Sequence, residues 1–375
     1  MTIYLDNNAT TPLEPEVLEV VLHYLREEFG NAGSRTHEFG ARAKQAVEQA
    51  RGIVAQALSA NRDEVFFTSG ATESNNLALL GLRQHAEKTG KRHIVTSMIE
   101  HKAVLEPLEF LESQGFTISR IAPGEDGRVK ASDILAAVTP ETLLVSVMHA
   151  NNETGVIQPV EEIAKGLPGD VFFHVDAAQT FGKLIAPLQN PRIDLISISA
   201  HKIFGPKGIG VLLARRRDFK RPPLTPLMFG GGQERGLRPG TLPVHLIAGL
   251  GKATEIALRD HGKRAALCEA YRRGVMDLVD RLQGVVNGDT EHMLPHVLNV
   301  SLPGIDSEAA IVALKGEVAI SNGSACTSTS YSASHVLVAM GLGHDRIESA
   351  LRLSWSHLTP PLGADRIEHQ IRMLR

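Results

Sequence analysis

The stretch SISAHKIFGPKG, residues 197–208, decides how the chain is read. An alternating apolar run ends at Ser199, Lys202 follows three residues later, and Gly205 and Gly208 close the segment around it. The lysine therefore stands where a buried strand gives way to a tight turn. Confined beside Ser199, His201 and a glycine-rich turn, its amine is open to desolvation, which lowers an ammonium pKa and makes the neutral amine a nucleophile able to form a Schiff base. Read alone, Lys202 is an exposed turn lysine. The rest of the chain decides between the two.

Outward from this stretch, VFFT (65–68), HIVTS (93–97), TLLVSVMH (142–149), VFFHV (171–175), DLISIS (194–199) and GIGVLLA (208–214) read as buried strands, and longer amphipathic stretches separate most of them. Strands alternating with helices imply an α/β fold with a mainly parallel sheet covered on both faces, its ligands at the carboxyl ends of the strands. Residues 41–58 put Ala43, Ala46, Val47, Ala50, Val54, Ala57 and Leu58 on one helical stripe. From about residue 256 the pattern changes. A long helical stretch (253–282) leads into the shorter strands LPHVLNVSL and VAIS, a Gly/Ser/Thr run and two final helical segments. This reads as a smaller α+β domain against which the extended N-terminal piece packs. There is no internal repeat, and SNGSACTSTSYSAS (321–334) is expected to be a mobile loop.

Composition limits the functions. A chain of 375 residues exceeds one comfortable core, so a large domain with a smaller companion is expected. Its formal net charge of -3 gives no reason for a polyanion-binding surface over the whole chain. The basic run Arg215–Arg221 (RRRDFKR) is expected to be a solvated edge. Cys268 and Cys326 are too far apart for a CxxC motif, and Cys268, in the amphipathic RAALCEAY, is expected to be a packed thiol. No apolar segment approaches the roughly 20 residues needed to cross a bilayer, and MTIYLDNNATTP has no leader pattern. Cytoplasmic residence with free thiols is the expectation.

Other residues fall at the ends of these strands. TSGATESNN (68–76) opens a helix after VFFT, so Ala71 and Thr72 either contact an anion at its positive end or, for Thr72, cap the helix. Neither a Walker A sequence nor GxGxxG occurs. Asp176 ends an apolar strand, where a carboxylate calls for a cation, and Gln179 follows within one turn. Pyridoxal phosphate needs a Schiff-base lysine, an acidic partner for its pyridine nitrogen and a phosphate site; Lys202, Asp176 and Ala71/Thr72 supply all three. His101 begins a helix after HIVTS, where its ring could stack on the pyridine and carry protons or simply lie on the surface. Asn152 is either a turn former or a hydrogen-bond donor to ligand, and Arg352 grips a carboxylate or makes a surface ion pair. Cys326 has only small polar neighbours in sequence, as a reactive thiol requires.

Taken in order, YLDNNATTP, FGNAGSRTHEFG, FTSGATESNN, EHKAV, HANNETG, HVDAAQ, SAHKIFGPKG, GGGQERGLRPGTLPVH and SNGSACTS resemble the pyridoxal-phosphate-dependent cysteine desulfurases of the class V aminotransferase branch, from Tyr4 to about Ser356. The resemblance implies the type I fold of pyridoxal-phosphate transferases: a large domain (14–255) with a mainly parallel seven-stranded sheet, and a small domain (1–13 and 256–375) carrying the loop of the catalytic cysteine. It implies that Lys202 is the Schiff-base lysine, Asp176 the pyridinium partner, His101 the stacked acid/base and Gln179 the contact to the ring hydroxyl. Asn152 and Arg352 would hold the substrate carboxylate. Ala71, Thr72, Ser199 and His201 would bind the phosphate, and Thr241 would reach the partner's site in a homodimer. Cys326 would accept sulfur from L-cysteine as a persulfide, leaving alanine, and pass it to an acceptor protein. No metal, membrane or direct nucleic-acid partner is implied. SAHK stands where SGHK is common and RPGT where RSGT is, with Lys202 and Thr241 kept. The sequence ends at IRMLR, where the housekeeping iron–sulfur members continue into a scaffold-docking tail, so tRNA thiolation or DNA phosphorothioate modification stands beside cluster assembly as a destination for the sulfur. An aminotransferase, a selenocysteine lyase and a noncatalytic sulfur carrier are the alternatives.

Overall fold

The computed structural model describes residues 2–322 and 333–375. Cys326 and most of the run 321–334 lie outside the described residues. The chain opens on β1 (Ile3–Tyr4), and the next seven strands form one sheet: β2 (Val65–Thr68), β3 (His93–Ser97), β4 (Thr117–Ile121), β5 (Thr142–Ser146), β6 (Phe172–Asp176), β7 (Leu195–Ser199) and β8 (Gly210–Ala214). Their order across the sheet is β2-β8-β7-β6-β5-β3-β4, parallel throughout except at β8, which runs against both of its neighbours.

The sheet is double-faced because adjacent residues along each strand enter different cores. Phe67, Val95, Val145, Ile196 and Val211 join one, together with the helices Pro15–Arg26, Glu38–Ala57 and Val244–Arg259. Their neighbours Phe66, Ile94, Leu144, Leu195 and Leu212 join the other, under the helices Ala71–Leu80 and Lys102–Ser113. With side chains alternating at period two, both faces must be apolar, which is why adjacent positions such as Phe66/Phe67 and Leu195/Ile196 are apolar together. The stripe from Ala43 to Leu58 is buried at all seven positions.

A third core joins Ile3 and Leu5 to Cys268, Val275, Leu298, Leu353, Trp355 and Ile367. It lies under the antiparallel strands β9 (Val285–Val286), β10 (Val297–Ser301) and β12 (Ala350–Ser354), while β11 (Val318–Ala319) pairs in parallel with β1. The N-terminal piece thus packs against the C-terminal part of the chain, and Cys268 is a buried thiol whose pKa burial pushes up to about 11. Among the described residues, no helix is long and apolar enough to cross a membrane.

Two readings are extended and two are corrected. GIGVLLA is antiparallel to β7, because the segment Ala200–Ile209 between them is too short for a parallel crossover. TISRI forms the edge strand β4, which has one sheet neighbour, exposes Thr117 and lacks a continuous apolar run. The helical stretch 253–282 is two helices, Val244–Arg259 and His261–Arg281, divided at Asp260 in RDHG, where weak helix formers cluster. The basic run is no solvated edge at its start: Arg215 is buried, its Nε donating to the Ile193 carbonyl at 3.1 Å and an Nη to that of Leu58 at 3.1 Å, and Arg217 pairs with the buried Asp194. A buried guanidinium is tolerated there because strand and helix ends supply carbonyls to saturate it. Phe219, further along, is fully out in solvent.

Candidate active site

The carboxyl ends of β2, β3, β5, β6 and β7 lie on one edge of the sheet, with the amino end of β8 beside them. A cavity of about 780 Å³ opens along that edge. Ala71, Thr72, His101, Asn152, Asp176, Gln179, Ser199, His201, Lys202 and Arg352 all line it. Nine of these positions, from Ala71 to Lys202, converge because successive strands return to the same edge, and β12 of the smaller sheet brings Arg352 to them. Thr241 is exposed and does not line the cavity of its own chain.

Lys202 sits in the hairpin between β7 and β8, which answers why an amine stands where a strand ends: the turn presents it to the cavity. Its Nζ donates to the carbonyls of Asn8 at 2.5 Å and Ala9 at 2.8 Å. Burial, with Arg352 and Lys183 adding positive charge nearby, pulls its pKa from 10.5 to about 7. At pH 7 about half of these amines are neutral, against roughly one in three thousand for a lysine at its ordinary value.

Asp176, buried at the end of β6, accepts from Asn75 Nδ2 at 2.7 Å through Oδ2 and from the Ala178 amide at 2.9 Å through Oδ1. A carboxylate offers about four lone-pair sites, so two remain for a ligand N–H. His101 is the N-cap of Lys102–Ser113, its Nδ1 accepting from the Ala103 amide at 3.0 Å. That bond places the proton of the neutral ring on Nε2, and burial lowers the ring's pKa so that the neutral form prevails.

The helix Ala71–Leu80 points its N-terminus into the cavity. Thr72 makes no capping bond; the N-cap is Gly70, at φ 156°, and Glu73 reaches back to the Ser69 amide at 2.8 Å. The capping alternative for Thr72 is therefore set aside. Gly70 and Gly210 approach so closely that a Cβ on Gly210 would fall 2.6 Å from Gly70 Cα. This packing seats the turn on β8 beside Ser199 and leaves the first amides of the helix free for an anion.

Residues absent from the first reading complete the site. Asn75 orients Asp176, and its place four residues after Ala71 was a legible signal of a shared helix face. Asn8 takes the Lys202 bond and donates through Nδ2 to the Asn152 carbonyl at 3.1 Å. Glu100, fully buried and next to His101 in sequence, accepts from Ser97 Oγ at 2.5 Å and the Met148 amide at 3.0 Å, and burial raises its pKa to about 8, so it is mainly neutral at pH 7. The result is a pocket with the Asp176 carboxylate deep inside, a half-neutral amine and an anion cradle.

These groups fit pyridoxal phosphate. Gln179 Oε1 and Asn8 Oδ1 are buried acceptors without a hydrogen-bond partner among the described residues, as a cavity built for a polar ligand requires. Asp176 suits a pyridinium, Lys202 an aldehyde, and the helix N-terminus with Ser199 and His201 a phosphate. Capture of the aldehyde by the apo-protein should follow the neutral amine. We expect its rate to rise about tenfold from pH 6 to pH 8 and then flatten, since deprotonation through a pKa of about 7 goes from roughly a tenth to nine tenths complete. Stopped-flow absorbance checks this; a rate still climbing steeply above pH 9 means an ordinary lysine.

A family model described as class-V aminotransferase matches residues 3–359. A cysteine desulfurase IscS of Anaeromyxobacter dehalogenans is 45% identical over 376 residues, spanning 99% of this chain and 91% of its own. Of the solved structures, DndA from Streptomyces lividans superposes with a TM-score of 0.82 at 49% identity, over 93% of this chain and 98% of that one. SspA in complex with cysteine superposes with a TM-score of 0.84 at 37% identity, over 96% and 99%.

Proposed function

The chain belongs to the class-V aminotransferase family and is a cysteine desulfurase, and from that premise we propose how its residues divide the work. The observation that carries the proposal is the meeting of Lys202, Asp176 and the helix N-terminus at Ala71 in one cavity. Pyridoxal phosphate, when bound there, supplies the electron sink that makes the carbon–sulfur bond of L-cysteine breakable. Lys202 would anchor it through Nζ, Asp176 would meet its ring nitrogen, Gln179 its hydroxyl, and Ala71, Thr72, Ser199 and His201 its phosphate. Asn152 and Arg352 hold the substrate carboxylate.

Once released, Lys202 Nζ is a base near neutrality, suited to moving the substrate's α-proton, and His101 donates or holds a proton at Nε2. Neutral Glu100 adds no second negative charge beside Asp176. The Cys326 thiolate attacks the substrate sulfur: a sulfur–sulfur bond forms, the carbon–sulfur bond breaks, the carbon takes a proton, and alanine leaves with a persulfide on Cys326. Thr241 belongs to the site of a second copy in a homodimer, and the chain divides into a large domain at 14–255 and a small one at 1–13 and 256–375.

The sulfur then passes to an acceptor protein, whether for iron–sulfur clusters, tRNA or DNA. The test is product analysis: with L-cysteine and a thiol, alanine and sulfide are expected in equal amounts. Pyruvate and ammonia in place of alanine would contradict the reading.

A further inference from the structure

Arg352 has a constrained setting that its proposed contact with the substrate leaves unexplained. Its side chain is 5% exposed, and a guanidinium that buried needs an acceptor to fix its plane. Asp6 supplies one: Asp6 Oδ1 accepts from Arg352 Nη2 at 2.7 Å, the one ion pair of Arg352 among the described residues. The Nη1 donates to the Asn152 carbonyl at 3.1 Å, and Nε has no partner among the described residues. Two of five N–H groups are thus spent on fixing the plane of the guanidinium, which leaves others for a ligand.

The backbone dictates this pairing. Asp6 forms a parallel bridge with Ser354, and Arg352 lies two residues earlier on β12, hence on the same face of the strand. Arg352 is also locked through its main chain, its amide donating to the Ser321 carbonyl at 2.6 Å, and Ser321 Oγ donates to the same Asp6 Oδ1 at 3.3 Å. Arg352, Asp6 and Ser321 close a triangle on the cavity wall, all three lining it.

We propose that Asp6 is a positioning residue that holds Arg352 ready for a carboxylate, and that the Asp6–Arg352 pair thereby makes the pocket select α-amino acids over simple amines. This rests on the proposed reading of Lys202 and Arg352. Asp6 touches no reacting atom; it acts through the guanidinium. An aimed guanidinium recognises a carboxylate by paired hydrogen bonds, whereas a loose one gives only a diffuse charge. Asparagine at position 6 keeps an oxygen acceptor for both Arg352 Nη2 and Ser321 Oγ. Alanine keeps neither.

The test uses holoenzyme and two ligands that differ by one group, L-alanine and ethylamine, with binding read from the visible absorbance of the bound cofactor. In Asp6→Ala, L-alanine should bind about tenfold or more weakly, with ethylamine unchanged within about twofold, and Asp6→Asn should restore L-alanine binding to within about threefold of the parent. Kinetics should show the same division, a raised KM for L-cysteine with little change in kcat. Equal weakening of both ligands in Asp6→Ala would reveal a merely structural role and overturn the proposal. So would unchanged or tighter L-alanine binding, or an Asp6→Asn variant as impaired as Asp6→Ala. If the parent itself shows no spectral response to L-alanine, the cofactor reading has failed and the inference falls with it, a failure distinguished by its appearance before any substitution.

Discussion

Replacing Lys202 with alanine should yield a folded protein without a covalently held cofactor, whose turnover with L-cysteine falls by at least about a thousandfold. The size of the loss follows from the two roles proposed for one nitrogen, anchoring the aldehyde and moving the substrate's proton. The fold should survive. The amine's pKa is pulled to about 7 by burial, so the folded state holds the charged form against a desolvation cost that the substitution removes. What is given up is two bonds to the Asn8 and Ala9 carbonyls. Thermal denaturation should therefore show little change while activity and colour vanish. A variant that keeps a tenth of the parent's rate would assign the chemistry to another amine; Lys183, whose pKa burial lowers to about 8, would be the next to examine.

Cys326→Ser should abolish sulfide release from L-cysteine, again by about a thousandfold or more, with the cofactor's absorbance and its response to L-alanine intact. Serine keeps the size and hydrogen bonding of the side chain, but its hydroxyl is a far weaker nucleophile towards sulfur than a thiolate. The two substitutions separate the proposed halves of the reaction, one removing the proposed cofactor anchor and the other only the proposed sulfur acceptor. A selenocysteine lyase would still form alanine from selenocysteine after Cys326→Ser, and an aminotransferase would be indifferent to it. Persistence of sulfide release would place the acceptor elsewhere.

The sheet was legible because it is buried on both faces: pairs such as Ile94/Val95 and Leu195/Ile196 place adjacent apolar residues in different cores. The edge strand β4 carries Ser119 and Arg120 and gives no such signal. The strand-end residues could be placed for the same reason, since a polar group directly after an apolar run stands at a sheet edge. Asp6, Asn8 and Glu100 could not be assigned roles this way. Asp6 and Asn8 matter through partners more than 190 residues distant, Arg352 and Lys202, and Glu100 through its burial. Long-range pairing of that kind leaves no periodicity in sequence. The direction of β8 was within reach, because ten residues between two strands cannot carry a parallel crossover (200–209).

The account turns on the covalent anchor, and borohydride reduction of the holoenzyme followed by peptide mass mapping tests it most directly. It predicts a single reduced pyridoxyl-phosphate adduct, on the peptide containing Lys202, that is lost when L-cysteine is added before the reductant. An adduct on Lys183 or on surface lysines with Lys202 unmodified would contradict it.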